Sequence, residues 1–419
     1  MPDSQQPGLR AWLVVGLLFP VALLNYLDRQ MLATMGISIR ADFAELQGLD
    51  GAENFGRLMS IFMWVYAICS PLSGILAGWL NRKWMIVFSL AVWSAVTLTM
   101  GHVHNYQELY WLRAVMGISE AFYIPAGLSL ITDFHQGPTR SLAVGIHMSG
   151  IYLGQALGGV GGWIAQDISW RAAFGSCGVI GVVYAFVLAA FLREYRRDNS
   201  EPTTHETGSI SMRLSTAKIY WIGFIILVLC FSLPSLPGWA IKNWLPTLLQ
   251  DRFTLDQKSS GLWATMMTAG AGFFGVLVGG KLSDYLVQRT VRGRVLVSAS
   301  GLMLTVPALL GIAYAPTPVL AIGSAALYGF GFGMFDANNM PILCQLAPAR
   351  FRAAGYGIMN FCGITAGALL TPLLGKLKDH GVPLYTGFAA CTIPAAMAVV
   401  FMLMLRPGSR DCGTVEPAK

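Results

Sequence analysis

Twelve long apolar stretches constrain the fold of this chain more than any other feature of its sequence. A helix that crosses a lipid bilayer needs about 20 mostly apolar residues. Stretches of about this length run approximately over residues 11–35, 57–80, 84–101, 107–133, 140–165, 171–193, 217–249, 260–287, 294–313, 317–346, 350–375 and 383–405. We therefore predict an all-α membrane protein with twelve transmembrane helices.

The composition and the placement of charge agree with this prediction. Only 12% of the 419 residues are charged, against about 25% in soluble domains, which excludes a soluble enzyme and a soluble nucleic-acid binder. With the N-terminus in the cytoplasm, the inside segments hold 18 Lys and Arg and the outside segments hold 7. This asymmetry predicts that both termini are cytoplasmic. It also accounts for the net charge of +7 without a nucleic-acid partner.

The longest polar stretch, residues 194–216, divides the spans into two sets of six. We predict an N-terminal six-helix bundle over 1–193, a cytoplasmic linker over 194–216 and a C-terminal bundle over 217–419. Two such halves suggest an internal repeat, which is common in secondary transporters. Glycines spaced four residues apart in the fifth span, from Gly150 to Gly162, predict close packing against another helix.

The loops after the second and eighth spans share a pattern of glycines followed by basic residues. They resemble the signature loop of the major facilitator superfamily, G-x-x-x-D-R-x-G-R-[RK]. The first copy has Gly78 in place of the Asp and Asn81 in place of the second Gly, whereas the second copy keeps Asp284. The resemblance implies that this Asp caps a helix and pairs with an Arg in one conformation. We therefore expect conformational roles for Asp284, Arg292, Arg294 and Arg140, and expect Arg140 to lack its usual partner.

Three further motifs narrow the resemblance. Span one carries Asn25-Tyr-Leu-Asp-Arg29, span four carries Arg113-x6-Glu120, and span eleven carries Gly357-Ile-Met-Asn360. This set is similar to the anion:cation symporters of the superfamily, which carry hexuronates, aldonates, sialic acid and other organic anions. The lysolipid-transporting Spinster group shares the first two motifs and stays as the alternative.

Six ionisable side chains lie deep in the predicted spans, and three are acidic and three basic: Asp28, Arg29, Arg113, Glu120, Lys242 and Asp336. Ionisable groups at such depth are costly and by default functional. Arg113 and Glu120 are two helical turns apart and share a face. Asp28 and Arg29 are sequential and point about 100° apart. We therefore expect Arg29 and Glu120 to face a central cavity and Asp28 to reach Arg113.

A glutamate beside an arginine can exchange that arginine for a proton. We predict that Glu120 is the main proton carrier, with Asp28 as the second titrating group and Arg113 as its partner. Arg29 would bind a substrate carboxylate. The resemblance implies the same roles at the matching positions of the symporters. The alternative is a purely structural network of ion pairs.

The remaining candidates are polar side chains inside apolar spans. Lys242 suits an outer gate or a second anion contact, although a lysine reaching for the outer interface would look the same. The other predicted contacts to substrate, which could instead join helices, are Tyr26, Gln155, Asn360, Asp336 and Asn339.

Together these features predict a proton-coupled symporter of a small organic anion, such as a sugar acid, that works by rocker-switch alternating access. We expect a monomer in a bacterial inner membrane, with lipid and the anion as partners. No Walker loop, metal-ligand spacing or catalytic constellation is present in the sequence, so we expect no enzyme and no cofactor besides the coupling protons. A non-transporting membrane sensor is the rival from another class, but nothing in the sequence resembles a signalling domain.

Overall fold

A computed structural model describes residues 8–76, 80–135, 139–194, 214–346 and 349–406 of the chain. In these ranges the backbone forms α-helices, one 3-10 turn (Ala44–Leu46) and no strand. The helices are α1 (Leu9–Thr34), α2 (Gly36–Asp42), α3 (Gly51–Leu76), α4 (Arg82–Met100), α5 (Tyr106–Ala121), α6 (Tyr123–Phe134), α7 (Arg140–Leu157), α8 (Gly159–Asp167), α9 (Trp170–Phe191), α10 (Leu214–Phe253), α11 (Gln257–Val287), α12 (Gly293–Tyr314), α13 (Pro318–Asp336), α14 (Asn339–Leu346), α15 (Ala349–Asp379), α16 (Leu384–Ala390) and α17 (Thr392–Met404).

Eleven helical segments of the described chain are long and apolar enough to cross a bilayer. The span predicted over 140–165 is divided at Gly158 into α7 and α8. Three other spans are interrupted just before a proline, at Pro125, Pro341 and Pro394. Proline has no N–H to donate to the preceding turn, so the helix stops or bends there.

The helices pack around a shared apolar interior. Large side chains such as Trp93 and Phe174 are fully buried within it. By contrast, Phe88, Phe186 and Phe274 are each more than 60% exposed on helix surfaces. A single chain in water would not leave so many large apolar side chains exposed. In a bilayer they face the lipid tails, and the predicted all-α membrane fold is confirmed.

The glycine series of the fifth span packs against α1. A Cβ on Gly150 would lie 2.8 Å from the carbonyl oxygen of Phe19, and one on Gly154 would lie 2.2 Å from that of Leu23. Contacts this short leave no room for any side chain, so the two backbones touch. The close packing predicted from the four-residue spacing is confirmed.

The predicted linker falls mostly outside the described residues, which resume at Leu214, where α10 begins. The helices before it, α1–α9, are called the first half below, and α10–α17 are called the second half. The division of the chain at 194–216 stays a prediction.

Candidate binding site between the two halves

A cavity of about 220 Å³ lies between the halves. Side chains from both halves line it. The first half contributes Tyr26, Arg29, Gln30, Tyr66, Tyr152 and Gln155, among others, and the second half contributes Trp239, Lys242, Thr268, Phe332, Asp336 and Asn360, among others. Three of the six deep charges therefore border one cavity, and a fourth, Glu120, pairs with one of them.

The ion pair between Arg29 on α1 and Glu120 on α5 is the central contact of this site. Nε of Arg29 donates to Oε2 of Glu120 at 2.5 Å. The Glu120 side chain is fully buried, whereas that of Arg29 keeps 12% of its surface exposed. The two residues are in contact, but only Arg29 lines the cavity. Glu120 is buried behind it, whereas the sequence predicted that both residues face the cavity.

Aromatic rings surround the Arg29 guanidinium. Its central carbon lies 4.4 Å from the ring centroid of Tyr66, 4.7 Å from that of Tyr26 and 4.9 Å from that of Phe62. Such cation–π contacts hold a guanidinium without supplying a counter-charge. The sequence analysis selected Tyr26 but did not select Phe62 and Tyr66 among the aromatic residues of span two. The only sequence signal for these two is their spacing of about one helical turn, which places them on the same face of the helix.

Asp28 and Arg113 do not form the direct contact that the sequence predicted. Oδ2 of Asp28 instead accepts a hydrogen bond of 3.3 Å from the hydroxyl of Thr97. Arg113 donates to the Sδ of Met116 at 3.3 Å, and its guanidinium lies 4.8 Å from the Phe62 ring centroid. Both charged side chains are buried. In this conformation a neutral hydroxyl takes the place of the expected cation.

Asp336 links the two halves beside the cavity. Its Oδ2 accepts a hydrogen bond of 2.9 Å from the hydroxyl of Tyr152 on α7, and its Oδ1 accepts one of 3.1 Å from Asn339. Asn339 is buried and does not line the cavity. The structure therefore places Asn339 behind Asp336 as a support, whereas the sequence predicted a direct contact to substrate.

Lys242 borders the cavity with its ammonium group free of ion pairs to the residues that the structure describes. Its Nζ lies 5.1 Å from the ring centroid of Trp239. The Lys242 carbonyl accepts a hydrogen bond of 2.7 Å from the side chain of Gln30, the residue after Arg29. The side-chain amides of Gln155 and Asn360 also line the cavity, and neither forms a hydrogen bond with the residues that the structure describes. These three side chains can therefore bind a ligand without first breaking an ion pair or a side-chain hydrogen bond.

One end of the cavity is closed by direct contacts between the halves. We call it the sealed end and define it by Ala52, Gly56, Gln257 and Asp379. The carboxylate of Asp379 accepts hydrogen bonds from the backbone N–H groups of Ala52 at 3.0 Å and Glu53 at 2.7 Å. The Gln257 amide exchanges two hydrogen bonds with Ser38, at 2.9 and 2.8 Å.

Helices from opposite halves also touch at the sealed end. A Cβ on Gly56 of α3 would lie 2.7 Å from Cα of Pro372 on α15. Towards the end where α1 and α10 begin, the described residues make no hydrogen bond between the halves beyond the one from Tyr152 to Asp336. The interface is thus closed on one side of the cavity and much looser on the other.

Residues 18–372 match the Major Facilitator Superfamily. The chain belongs to this superfamily. A D-galactonate transporter of Escherichia coli O6:H1 is 24% identical over an alignment of 434 positions, which covers 96% of this chain and 97% of the relative. Protein spinster of Drosophila melanogaster is 27% identical over 341 residues, covering 77% of this chain and 54% of the relative.

Solved structures show the same fold. The crystal structure of a bacterial homolog of the human lysosomal transporter Spinster, described as inward-facing and occupied, superposes with a TM-score of 0.76. It is 18% identical in sequence, and the match covers 94% of this chain and 96% of that one. The major facilitator fold, with two six-helix bundles, is therefore shown for this transport protein.

The described end of the first signature loop makes two polar contacts. Gly78 lies outside the described residues, but Asn81 caps α4 by accepting a hydrogen bond of 3.1 Å from the N–H of Trp84. Arg82 forms an ion pair with Asp133. Arg140 is exposed and forms no ion pair with the described residues, and the absence of its usual partner stays a prediction.

The second signature loop carries three of the residues with predicted conformational roles. Asp284 is exposed on α11 and has no ion pair within the described chain. Arg292 precedes α12 and donates a hydrogen bond to the carbonyl of Leu403 on α17, and Arg294 lies in the first turn of α12. All of these groups belong to the second half, so their part in conformational change stays a prediction.

Proposed function

We propose that this protein is a monomeric symporter that carries a sugar acid across a bacterial inner membrane together with protons. The ion pair between Arg29 and Glu120 carries the proposal. It joins a cavity-facing guanidinium, the group best suited to bind a carboxylate in bidentate fashion, to an acid that is fully buried. The relatedness to a D-galactonate transporter over nearly its whole length supports the choice of substrate.

Competition between two carboxylates for Arg29 would couple substrate to protons. When the substrate carboxylate takes the guanidinium, Glu120 loses its counter-ion inside a fully buried site. An unpaired buried carboxylate is strongly unfavourable, so Glu120 binds a proton instead. Release of that proton restores the pair with Arg29 and expels the anion. Asp28, which has Thr97 as its hydrogen-bond partner, is the second group that we assign to proton transfer.

The rest of the cavity suits the hydroxylated part of a sugar acid. Tyr26, Gln155 and Asn360 present polar atoms to it, and Asp336 adds a carboxylate. The volume of about 220 Å³ is below the range of about 300–1,000 Å³ that holds drug-sized ligands. A compact hydrophilic anion fits this space better than a long-chain lipid.

The difference between the two ends of the cavity supports an assignment to one step of the cycle. With both termini in the cytoplasm, the sealed end faces outside and the looser end faces inside. The protein would then be close to an inward-facing state. Rocking of the halves would open the contacts of the sealed end and close the opposite end.

Uptake into proteoliposomes tests this function. The panel holds labelled sugar acids, neutral sugars and lysolipids, each with and without an inward proton gradient. We expect a sugar acid to accumulate only with the gradient. Glu120→Gln should exchange internal for external substrate but fail to concentrate it, while Glu45→Gln, at an exposed residue of the 3-10 turn, should behave like the wild type. Concentrative uptake by Glu120→Gln equal to that of the wild type would refute the proton role.

A second candidate, transport of a lysolipid or another amphiphile, is favoured by one observation. Aromatic side chains form much of the second-half wall of the cavity, with Phe231, Trp239, Tyr328 and Phe332 among its lining residues. The lysolipid arm of the panel separates the two functions. If only lysolipid moves, the roles proposed for Arg29 and Asn360 as sugar-acid contacts are withdrawn.

A further inference from the structure

A buried asparagine lies next to the central ion pair but takes no part in it. Asn25 is on α1, one helical turn before Arg29, so both side chains leave the same face of the helix. The Asn25 side chain is fully buried, and its amide lies beside the carboxyl group of Glu120. Neither Oδ1 nor Nδ2 of Asn25 forms a hydrogen bond with a described residue. Two polar atoms without partners therefore lie next to the acid that we assign to proton binding.

Glu120 also has one oxygen without a partner. Arg29 donates to Oε2 of Glu120, whereas Oε1 is buried and accepts no hydrogen bond from the described residues. Buried polar atoms without partners are destabilising, and they are rare in native proteins. Three of them at one contact indicate that these atoms bond to each other in another state of the site.

The protonation state of Glu120 decides whether the two side chains match. An ionised carboxylate only accepts hydrogen bonds, so it can pair with Nδ2 of Asn25 but not with Oδ1. A protonated carboxyl group has one O–H donor and one carbonyl acceptor, and a primary amide likewise has a donor and an acceptor. The protonated acid and the amide can therefore form two parallel hydrogen bonds, which satisfy both polar atoms of Asn25.

We propose that Asn25 is a positioning residue that binds the protonated form of Glu120. When the substrate carboxylate takes Arg29, a proton binds Oε1 of Glu120, and this O–H donates to Oδ1 of Asn25. Nδ2 of Asn25 donates to Oε2 of Glu120, in the place that Nε of Arg29 has left. The amide thus replaces the guanidinium as the partner of the acid. This inference rests on the proposed function and names a residue on which its proton step depends.

A neutral amide suits this step better than either alternative. A second cation beside Glu120 would favour the ionised acid, and an apolar side chain would leave the new O–H without an acceptor inside the protein. An amide does not titrate. It therefore stabilises the protonated acid without adding a charge at membrane depth, where a charge is costly.

A test against pH has to separate Glu120 from the ionisable groups around it. Those near Glu120 come from α1, α3, α5 and α6, and they are Tyr26, Asp28, Arg29, Tyr66, Arg113 and Tyr123. The ionisable residues of α4, which also packs against α5, lie in its first turn. Arginine and tyrosine do not change protonation between about pH 5 and 8. Asp28 is therefore the group in this set whose titration has to be distinguished from that of Glu120.

Binding of the labelled sugar acids of the uptake panel, beginning with D-galactonate, tests the inference on the purified full-length protein. These ligands stay ionised between about pH 5 and 8, so the pH at which affinity falls to half of its acid limit reports protonation of the protein. Asn25→Leu keeps the size of the side chain but removes both polar atoms. It should move this midpoint to lower pH by about half to one unit. Acid should restore its affinity to the wild-type value, which it would not do for a packing defect.

Three further variants control for other causes of a shift. Asn25→Ser keeps an oxygen that can accept from the carboxyl O–H, and it should shift the midpoint less than Asn25→Leu. Ser298→Ala removes a different buried hydroxyl without a described partner, on α12, and should not shift it. In a Glu120→Gln background the remaining pH dependence belongs to Asp28, and Asn25→Leu should leave it unchanged.

The outcomes separate this inference from the function on which it rests. A midpoint that Asn25→Leu leaves unchanged, or moves to higher pH, would overturn the inference while the proton role of Glu120 stands. A loss of affinity that acid does not restore would make Asn25 purely structural and would overturn it as well. Wild-type binding that does not vary with pH, or no binding of any acid of the panel, would overturn the proposed function together with the inference.

Discussion

The sealed end and the cavity lie on the same interface between the halves but use opposite kinds of contact. At the sealed end, backbones touch at glycines and a carboxylate binds main-chain N–H groups. At the cavity, long charged and aromatic side chains meet across open space. Short backbone contacts either form completely or are lost, whereas long side chains adapt to what lies between them. The difference indicates that the contacts of the sealed end determine which conformation the protein adopts. The side chains of the cavity bind and distinguish the ligand.

The largest effect is expected when a large side chain is placed in the sealed end, which tests whether this end controls the conformation. A Cβ on Gly375 would lie 2.2 Å from the carbonyl oxygen of Ala52, whereas one on Gly357 of the same helix meets nothing within 4 Å. We expect Gly375→Leu to prevent closure and lower uptake by at least about 100-fold, as forced overpacking against backbone would. Gly357→Leu should stay near wild-type uptake.

Labelling of a cysteine at Thr371 in a cysteine-free background checks this mechanism. Thr371 is fully buried at the sealed end, so it should react with an impermeant maleimide in Gly375→Leu and not in Gly357→Leu. Equal protection in both variants would show that the glycine contact does not control closure.

The next largest effect concerns the buried charge at the cavity. Arg29→Gln leaves Glu120 buried without its partner, and removal of one member of a buried pair costs about 3–5 kcal/mol. We expect a large loss of unfolding free energy in detergent. The double variant Arg29→Gln/Glu120→Gln should recover most of this loss, because it buries no unpaired charge. A double variant no more stable than Arg29→Gln would contradict the role given to the pair.

A smaller effect is expected at the contact that crosses the sealed end. Asp379→Ala removes the acceptor for two N–H groups at the start of α3. Loss of a capping side chain costs about 0.5–2 kcal/mol, which should lower the population of the sealed state by roughly 2- to 30-fold. Distance measurements between spin labels on the two halves report this shift. Glu53→Ala, which removes only an ion pair to Arg57 within α3, should leave the distances unchanged.

The smallest effect is expected for an ion pair that lies within one half. Burial raises the pKa of Asp42. Hydrogen bonds from Arg171 and Trp170 lower it by more than burial raises it, so the pKa lies below its ordinary value. Its contribution to stability is present above the unfolded pKa of about 3.9 and is lost as the pH falls through the lower folded value.

At neutral pH, Asp42→Asn should cost at most about 0.5 kcal/mol, because the pair is partly exposed. The difference in melting temperature from the wild type should disappear in acid. Maleimide labelling at Thr371 should not change at any pH, since the contact does not join the halves. A change in labelling would mean that Asp42 takes part in closure.

Much of the fold could be predicted from the sequence, because length and apolarity alone identify spanning helices. The helix breaks were harder to predict. The glycine spacing indicated packing of span five against another helix, and this is confirmed against Leu23 of α1. The same spacing did not reveal that the helix is interrupted at Gly158, since a glycine can serve either purpose.

Within the candidate site, charges were easier to predict than their neutral partners. The pairing of Arg29 with Glu120 followed from the cost of burying either alone. The hydrogen bond between Thr97 and Asp28 could not be predicted, because the apolar spans contain many Ser and Thr residues and nothing in the sequence distinguishes Thr97 from them. The position of Asn339 behind Asp336 likewise depends on how α14 begins, which periodicity does not specify.

Because Asp379 of one half caps α3 of the other, amide exchange at the start of α3 reports opening of the sealed end. Two amide protons at the start of one helix are held by a carboxylate from the other half, so each opening of that end exposes them to solvent. Their hydrogen–deuterium exchange therefore reports opening of this end, and the measurement needs no substrate or mutation. A ligand that slows exchange at Ala52 and Glu53 raises the fraction of time that the sealed end is closed, and a ligand that speeds exchange lowers it.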